Sequence, residues 1–187
     1  MLFMGLLPLV VGCSLTSSEV EPNLPTGRIS GGNTLVYQAE GLPVVAHNDS
    51  SFGTIISSIF GGKGPVSGYL DFTNQLVIHG VDSQNPPAAG QKQHVLHLEL
   101  PAFQGPGTYA LGAPETFYQV SVFNSDKRLD SPLTFYPVSA PGARVTVTQW
   151  DAASRHLQGT FSVKLVEQGT GQSVALTDGR FDLILDQ

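Results

Sequence analysis

The chain has 187 residues, 41% of them hydrophobic and only 13% charged, which suits one domain with short additional segments. The formal net charge is −6 and no Lys/Arg cluster occurs, which argues against nucleic acid as a partner, because phosphate binding requires a positive surface. The single cysteine, Cys13, excludes an internal disulfide bond and a thiolate zinc site.

The first residues, Met1–Val11, form a nearly unbroken apolar run. It is too short to span a bilayer, which needs about 20 residues, and it is typical of the core of a secretory signal. Val10-Val11-Gly12-Cys13 resembles a lipobox, although no Lys or Arg precedes the run. An ordinary signal peptide or a buried first strand would explain the run without lipidation. We predict a lipoprotein signal peptide over residues 1–12 and lipid attachment at Cys13.

Residues 13–32 have the composition of a flexible tether. The stretch from Ser14 to Gly32 is rich in Ser, Thr, Pro and Gly and has no periodicity. Its random-coil span is about 25 Å. Acyl chains on Cys13 would anchor the protein to a membrane without spanning it. Ser14, rather than Asp, follows the cysteine, which favours the outer membrane over the inner membrane.

From Asn33 onward the pattern predicts short β strands. The clearest upstream segment is His94–Leu100, in which every second residue from His94 faces one side of the sheet. Pro86–Gly90 is predicted to be a loop. The weaker strand candidates are Leu35–Ala39, Thr54–Phe60, Gly68–Phe72, Leu76–Gly80, a strand opening at Pro106–Tyr109, Phe117–Phe123 and Leu133–Tyr136.

Residues 144–187 predict an antiparallel meander. Turns are expected at Asp151–Ser154 and at Asp178-Gly179, a favoured tight-turn dipeptide. The four predicted strands are Arg144–Trp150, Leu157–Leu165, Ser173–Leu176 and Arg180–Leu185.

The whole pattern predicts a single all-β domain over residues 33–187. About nine to eleven short strands without a long helical stretch are typical of an antiparallel β-sandwich or a closed β-barrel. The strand count does not separate these two folds.

Several short motifs occur in this domain. They are Val145-Thr146-Val147-Thr148 with Trp150-Asp151, Gly159-Thr160-Phe161-Ser162, Gly179-Arg180-Phe181-Asp182, Pro106–Tyr109 and Tyr37–Gly41. Together they resemble an uncharacterised family of small Bacteroidetes lipoproteins, over most of residues 35–187. The resemblance implies an extracytoplasmic β domain on a lipid anchor. It implies no activity and no catalytic residues.

The histidines form no metal motif of known spacing. His94 and His97 are three residues apart on a predicted strand, so they point to opposite faces. His94 lies among leucines and is expected to be a hydrogen-bonded core residue. His97 and Glu99 share a face and are expected to pair or, with a distant third ligand, to hold a metal; an exposed polar face is the simpler interpretation. We predict no metal and no cofactor.

Catalytic motifs are equally lacking: the sequence has no HExxH, Walker-type loop or Gly-x-Ser-x-Gly elbow. Asp49, Asp71, Asp82 and Glu99 remain candidates for a hydrolytic carboxylate pair, whose spacing only the fold sets. Trp150 alternates out of phase with Val145 and Val147 near a turn. It is therefore the best candidate for an exposed residue that stacks on a ligand or glycan.

Three functions fit this sequence. The first is a lipid-anchored cell-envelope protein, not an enzyme, whose β domain has a binding or structural role. The second is a lipocalin-like carrier of a small apolar ligand, which predicts an interior cavity lined by apolar residues. The third and least favoured is a glycan or peptidoglycan hydrolase, which predicts an open cleft with two or more carboxylates of perturbed pKa.

Overall fold

The computed structural model describes residues 33–47, 65–82, 88–126, 128–138 and 142–186. The predicted signal peptide, Cys13, the tether and the strand candidate Thr54–Phe60 lie outside these ranges. The described strands are β1 Thr34–Ala39, β2 Leu42–His47, β3 Val66–Leu70, β4 Leu76–Asp82, β5 Lys92–Leu100, β6 Gly107–Ala110, β7 Phe117–Val122, β8 Leu133–Pro137, β9 Arg144–Asp151, β10 His156–Glu167 and β11 Ser173–Ile184. No helix in the described ranges is long and apolar enough to cross a membrane.

All eleven strands belong to one antiparallel sheet, and nine of them form a nearly closed barrel. Hydrogen-bonded neighbours follow the order β2-β1-β11-β10-β8-β7-β5-β4-β3, while β9 pairs with β10 and β6 pairs with β9. Strand β3 meets the end of β11 at a parallel bridge between Tyr69 and Asp186, where the Asp186 N–H donates to the Gly68 carbonyl at 2.7 Å. The all-β prediction is confirmed, and the open choice is resolved as a barrel.

Period-two alternation accounts for the inner and outer faces of the barrel. In β10, Leu157, Phe161 and Leu165 are buried, whereas Thr160 and Lys164 are exposed. Burying each large apolar side chain stabilises the fold by about 1.5–3 kcal/mol before entropy is counted. The same alternation in neighbouring strands creates one continuous hydrophobic core inside the barrel.

Strand β11 corrects one prediction. It runs unbroken through Asp178-Gly179, so the expected hairpin at this dipeptide is wrong, and residues 144–186 contain three strands of the meander rather than four. Asp178 has a φ of 52°, and the register of β11 shifts here against both β1 and β10. The dipeptide therefore forms a β-bulge, which accommodates one extra residue without reversing the chain.

Strand β2 was missing from the predicted elements. It follows a tight turn at Glu40-Gly41, where both residues have positive φ values of 54° and 76°. Pro43 disfavours a position inside a sheet, because proline donates no ladder hydrogen bond. This strand lies at the edge of the sheet, where such a donor is not needed.

Two phenylalanines lie over glycines of the adjacent strand. Phe181 of β11 pairs with Gly159 of β10, and Phe161 of β10 pairs with Gly179 of β11. A Cβ atom on Gly159 would lie 2.3 Å from the Phe181 ring and 2.5 Å from the carbonyl oxygen of Thr146. Because the backbone oxygen cannot move aside, only glycine fits at residue 159.

We expect Gly159→Ala to lower the free energy of unfolding by about 1–3 kcal/mol, as overpacking of a core does. Gly112→Ala is the matched control, because no atom lies within 4 Å of a Cβ built there. The control should change stability by no more than about 0.5 kcal/mol. Urea unfolding followed by circular dichroism measures both variants. Equal stabilities of the two would contradict the packing described for residue 159.

Candidate functional site

One end of the barrel gathers several polar inward-facing side chains. Neighbouring strands alternate in direction, so β1 and β4 end, and β5 begins, at the same end of the barrel. We call this end the mouth, and we call Tyr37, Asp82, His94 and Tyr118 the mouth cluster. These residues come from β1, β4, β5 and β7, so they are distant in sequence and only the fold brings them together.

A short hydrogen bond joins His94 and Tyr118. The His94 Nδ1 and Tyr118 Oη atoms are 2.5 Å apart, and the two rings stack with centroids 5.9 Å apart. Burial, followed by the charges of Glu40 and Asp82, raises the pKa of Tyr118, so the phenol stays protonated. Burial and nearby Lys92 lower the pKa of His94, which favours the neutral imidazole. The predicted hydrogen bond of His94 is confirmed, although the ring is only partly buried.

Tyr37 forms part of the floor beneath the mouth. Its side chain is 1% exposed. The ring packs edge-on against Tyr118, with centroids 6.2 Å apart, and makes a tilted contact with Phe161, with centroids 5.8 Å apart. Burial above all, with smaller contributions from Tyr118 and Asp82, holds the Tyr37 pKa well above its usual value. Phe135 extends the floor through a tilted contact with Tyr118 at 6.0 Å.

Asp82 supplies the charge of the cluster. It lies directly opposite His94 on the neighbouring strand, an arrangement that brings the two side chains close on one face. Partial burial raises the pKa of Asp82 to about 6. The carboxylate is therefore mostly ionised at neutral pH and becomes protonated in mildly acidic solution.

The other half of the mouth is apolar. Val120 of β7 pairs with His94 and with Leu133 of β8, and Val122 pairs with Lys92, so all of these side chains share the inward direction. Leu133 is 50% and Val122 is 36% exposed because they stand above the packed core. The mouth thus combines apolar side chains of β7 and β8 with the mouth cluster and with Lys92, a cation at the start of β5.

Below the mouth, side chains fill the described part of the barrel. Leu35, Leu96, Leu98 and Leu165 are all fully buried in the core cluster. Leu35 of β1 reaches across to Gly80 of β4, where an added Cβ would lie 2.2 Å from the Leu35 Cδ2 atom. Among the described residues, the mouth cluster therefore lies directly above a packed core.

Trp150 lies elsewhere, near the opposite end of the barrel. The prediction that it faces away from Val145 and Val147 is wrong, because Thr148 is an extra residue in the pairing of β9 with β10. This bulge turns Trp150 to the side of Leu157, where it is partly buried and packs edge-on against Phe103 at 5.6 Å. Stacking of a ligand on Trp150 stays a prediction.

His79, His97 and His156 lie on the outer surface of the sheet. His97 Nε2 and Glu99 Oε2 are 3.6 Å apart, so the predicted pairing is confirmed, and His97 also stacks on Phe117 at 4.9 Å. Among the described residues, no group of three or more His, Cys, Asp or Glu is arranged to hold a metal ion. Sequence reasoning missed a second pair, His156 Nε2 and Asp182 Oδ1 at 2.6 Å, because its partners sit on two different strands.

Comparison with known proteins returns no match to a protein-family model, to a curated protein or to a solved structure.

The raised pKa of Asp82 predicts a pH dependence of stability. The native state binds the proton more tightly than the unfolded chain, so its contribution to stability is full below about pH 4 and is lost as pH rises to about 6. We expect the difference in unfolding free energy between wild type and Asp82→Asn to shift by about 1–2 kcal/mol across this window, after discounting for partial exposure.

Urea unfolding at pH 4, 5, 6 and 7 measures this difference, and subtraction of the variant removes contributions from other groups. Asp71, Asp151 and Glu167 have lowered pKa values, chiefly through hydrogen bonds from Thr73, Ser154 and Thr170, and act in the opposite direction. A wild-type-minus-variant difference that stays constant with pH would refute the burial of Asp82.

Proposed function

We propose that this protein is a lipid-anchored cell-envelope protein whose β barrel binds a small amphiphilic ligand at the mouth and catalyses no reaction. The mouth cluster carries this proposal, because it places an ionisable carboxylate, an imidazole and two phenols opposite exposed apolar side chains. Binding sites of this kind combine apolar walls with a few placed polar groups. The lipobox-like motif at Cys13 supports the anchor, with the outer membrane as the proposed location.

The filled interior favours the mouth over a lipocalin-like cavity as the place for a ligand. A carrier would keep its inward apolar positions apart to leave space, whereas Tyr37 contacts both Tyr118 and Phe161 inside the barrel. A ligand at the mouth would leave these contacts intact.

A binding role also accounts for the mouth cluster better than hydrolysis does. The His94 Nδ1 atom is already hydrogen-bonded to the Tyr118 hydroxyl, so the imidazole is held in a fixed orientation. Glycoside hydrolysis needs two carboxyl groups about 5–10 Å apart on either side of the bond that breaks. Asp82 instead lies opposite His94 and near the phenols of Tyr37 and Tyr118, and a single carboxylate beside aromatic rings is suited to holding an ammonium group.

The anchor is tested on full-length protein expressed in a bacterial host with lipoprotein processing. We expect the mature N-terminal peptide to begin at Cys13 and to carry three acyl chains, as measured by mass spectrometry. Cys13→Ser is the control and should remain unprocessed and unlipidated. An unmodified Met1, or cleavage at another residue, would overturn the anchor while leaving the mouth proposal open to its own test.

The mouth is tested by titrating n-hexylamine and hexanoate into the protein at pH 7.5, followed by backbone amide chemical shifts. We expect hexylamine to shift amides of His94, Asp82 and Leu133 and to bind more tightly than hexanoate, because Asp82 is ionised at this pH. Asp82→Asn or Leu133→Ser should weaken binding at least about fivefold, in line with one lost contact of about 1 kcal/mol. Ile184→Ser, at the opposite end, is the matched control.

Shifts centred away from the mouth, or equal binding of the two probes, would overturn this assignment. Titration at pH 5 gives a further check, since protonation of Asp82 should weaken hexylamine binding to the level of the Asp82→Asn variant.

A further inference from the structure

The turn between β3 and β4 displays an aromatic side chain to solvent. Phe72 is 99% exposed, the largest exposure among the large hydrophobic residues that the structure describes. An apolar ring in this position gains nothing for folding, because its exposure in the unfolded chain is no greater. With Tyr69 and Ile184, which are also exposed at this end, the Phe72 ring is available to a partner outside the chain.

The backbone of this turn is fixed by hydrogen bonds. The Asp71 Oδ1 atom accepts the N–H groups of Thr73 at 2.8 Å and Gln75 at 2.9 Å, together with the Thr73 hydroxyl at 2.7 Å. The Asn74 carbonyl accepts the Phe103 N–H at 2.7 Å, which ties the turn to the next loop. Phe72 is thus presented on a rigid support at the end of the barrel opposite the mouth.

The first described residues of the chain lie near this same end of the barrel. Asn33 precedes β1, and its side chain bonds Ile184 twice, with Ile184 N to Oδ1 at 2.7 Å and Nδ2 to the Ile184 carbonyl at 3.2 Å. Ile184 is 58% exposed and lies two residues before Asp186, which bridges to Tyr69, three residues from Phe72. From Thr34 the chain rises about 17 Å along β1 toward the mouth.

We propose that the end of the barrel that carries Phe72, Tyr69 and Ile184 rests on the surface of the membrane to which Cys13 is anchored, with the Phe72 ring in the boundary between headgroups and acyl chains. This proposal rests on the lipid anchor proposed above. The occupant is a zwitterionic lipid surface, because a net charge of −6 and the nearby Asp71 and Asp186 carboxylates offer no attraction to anionic headgroups.

The contact adds a second, weak attachment to the acyl chains, and it orients the barrel. Aromatic side chains favour the membrane interface, where an apolar ring is shielded from water. With Phe72 at the membrane, the mouth points away from the lipid. Its ligand then arrives from the aqueous side rather than from the bilayer.

The test uses full-length protein on phosphatidylcholine vesicles that contain brominated lipids, which quench tryptophan fluorescence on contact. Cys13 is the only cysteine, so in protein that has not been lipidated a maleimide-bearing lipid couples the free Cys13 thiol to the vesicle. Phe72→Trp reports on the proposed contact. Leu42→Trp is the matched control, because Leu42 is 66% exposed at the mouth end. The wild-type signal of Trp150 is subtracted from both.

We expect the Phe72→Trp fluorescence to shift to shorter wavelength and to lose at least half its intensity on brominated vesicles, while the Leu42→Trp fluorescence changes little. Equal quenching of the two, or none at Phe72→Trp, would overturn the proposed orientation.

Vesicle flotation of protein processed in cells is scored separately. If protein processed in cells does not float, but coupled Phe72→Trp is quenched selectively, the natural anchor is refuted and the lipid affinity of this end is not. Phe72→Ser should keep the wild-type melting temperature, because the exposed Phe72 ring gains nothing for folding.

Discussion

The cross-strand pairing of Phe161 with Gly179 and of Phe181 with Gly159 is the interaction on which the rest of the barrel depends. It lies in the long hairpin of β10 and β11, whose other edges pair with β1, β8 and β9. Each ring occupies the space that a side chain on the opposite strand would need. The glycines thereby let two large rings lie against the inner face of the sheet. The hairpin becomes a surface against which the remaining strands pack.

The rings of this hairpin continue into the floor of the mouth. Phe161 contacts Tyr37, Tyr37 contacts Tyr118, and the Tyr118 hydroxyl holds His94. The apolar core therefore passes without a gap into a polar cluster. Because the tyrosines are held by packing on one side, their hydroxyl ends are fixed on the other, which is the preorganisation that a binding site requires. Asp82 adds a charge whose state changes near pH 6.

The two ends of the barrel differ in chemistry. The mouth combines charged, aromatic and aliphatic groups, whereas the opposite end presents Phe72 on a rigid turn. The tether would join at Asn33, on the side of Ile184. In the proposed arrangement one end faces lipid and the other faces water, so a single short barrel has a defined direction relative to the membrane.

The amino-acid sequence by itself determined the class of fold, because alternation such as that in β5 and β10 depends on local geometry and needs no knowledge of partners. It also placed most turns and the opposite faces of His94 and His97. It did not determine what lies beyond a bulge. One extra residue at Thr148 turned Trp150 inward, and one at Asp178 formed a bulge in a continuous β11 instead of a hairpin turn. Both outcomes depend on the register with a neighbouring strand. Closure of the barrel and assembly of the mouth were decided only by tertiary structure, because pairing between strands distant in sequence brings their residues together.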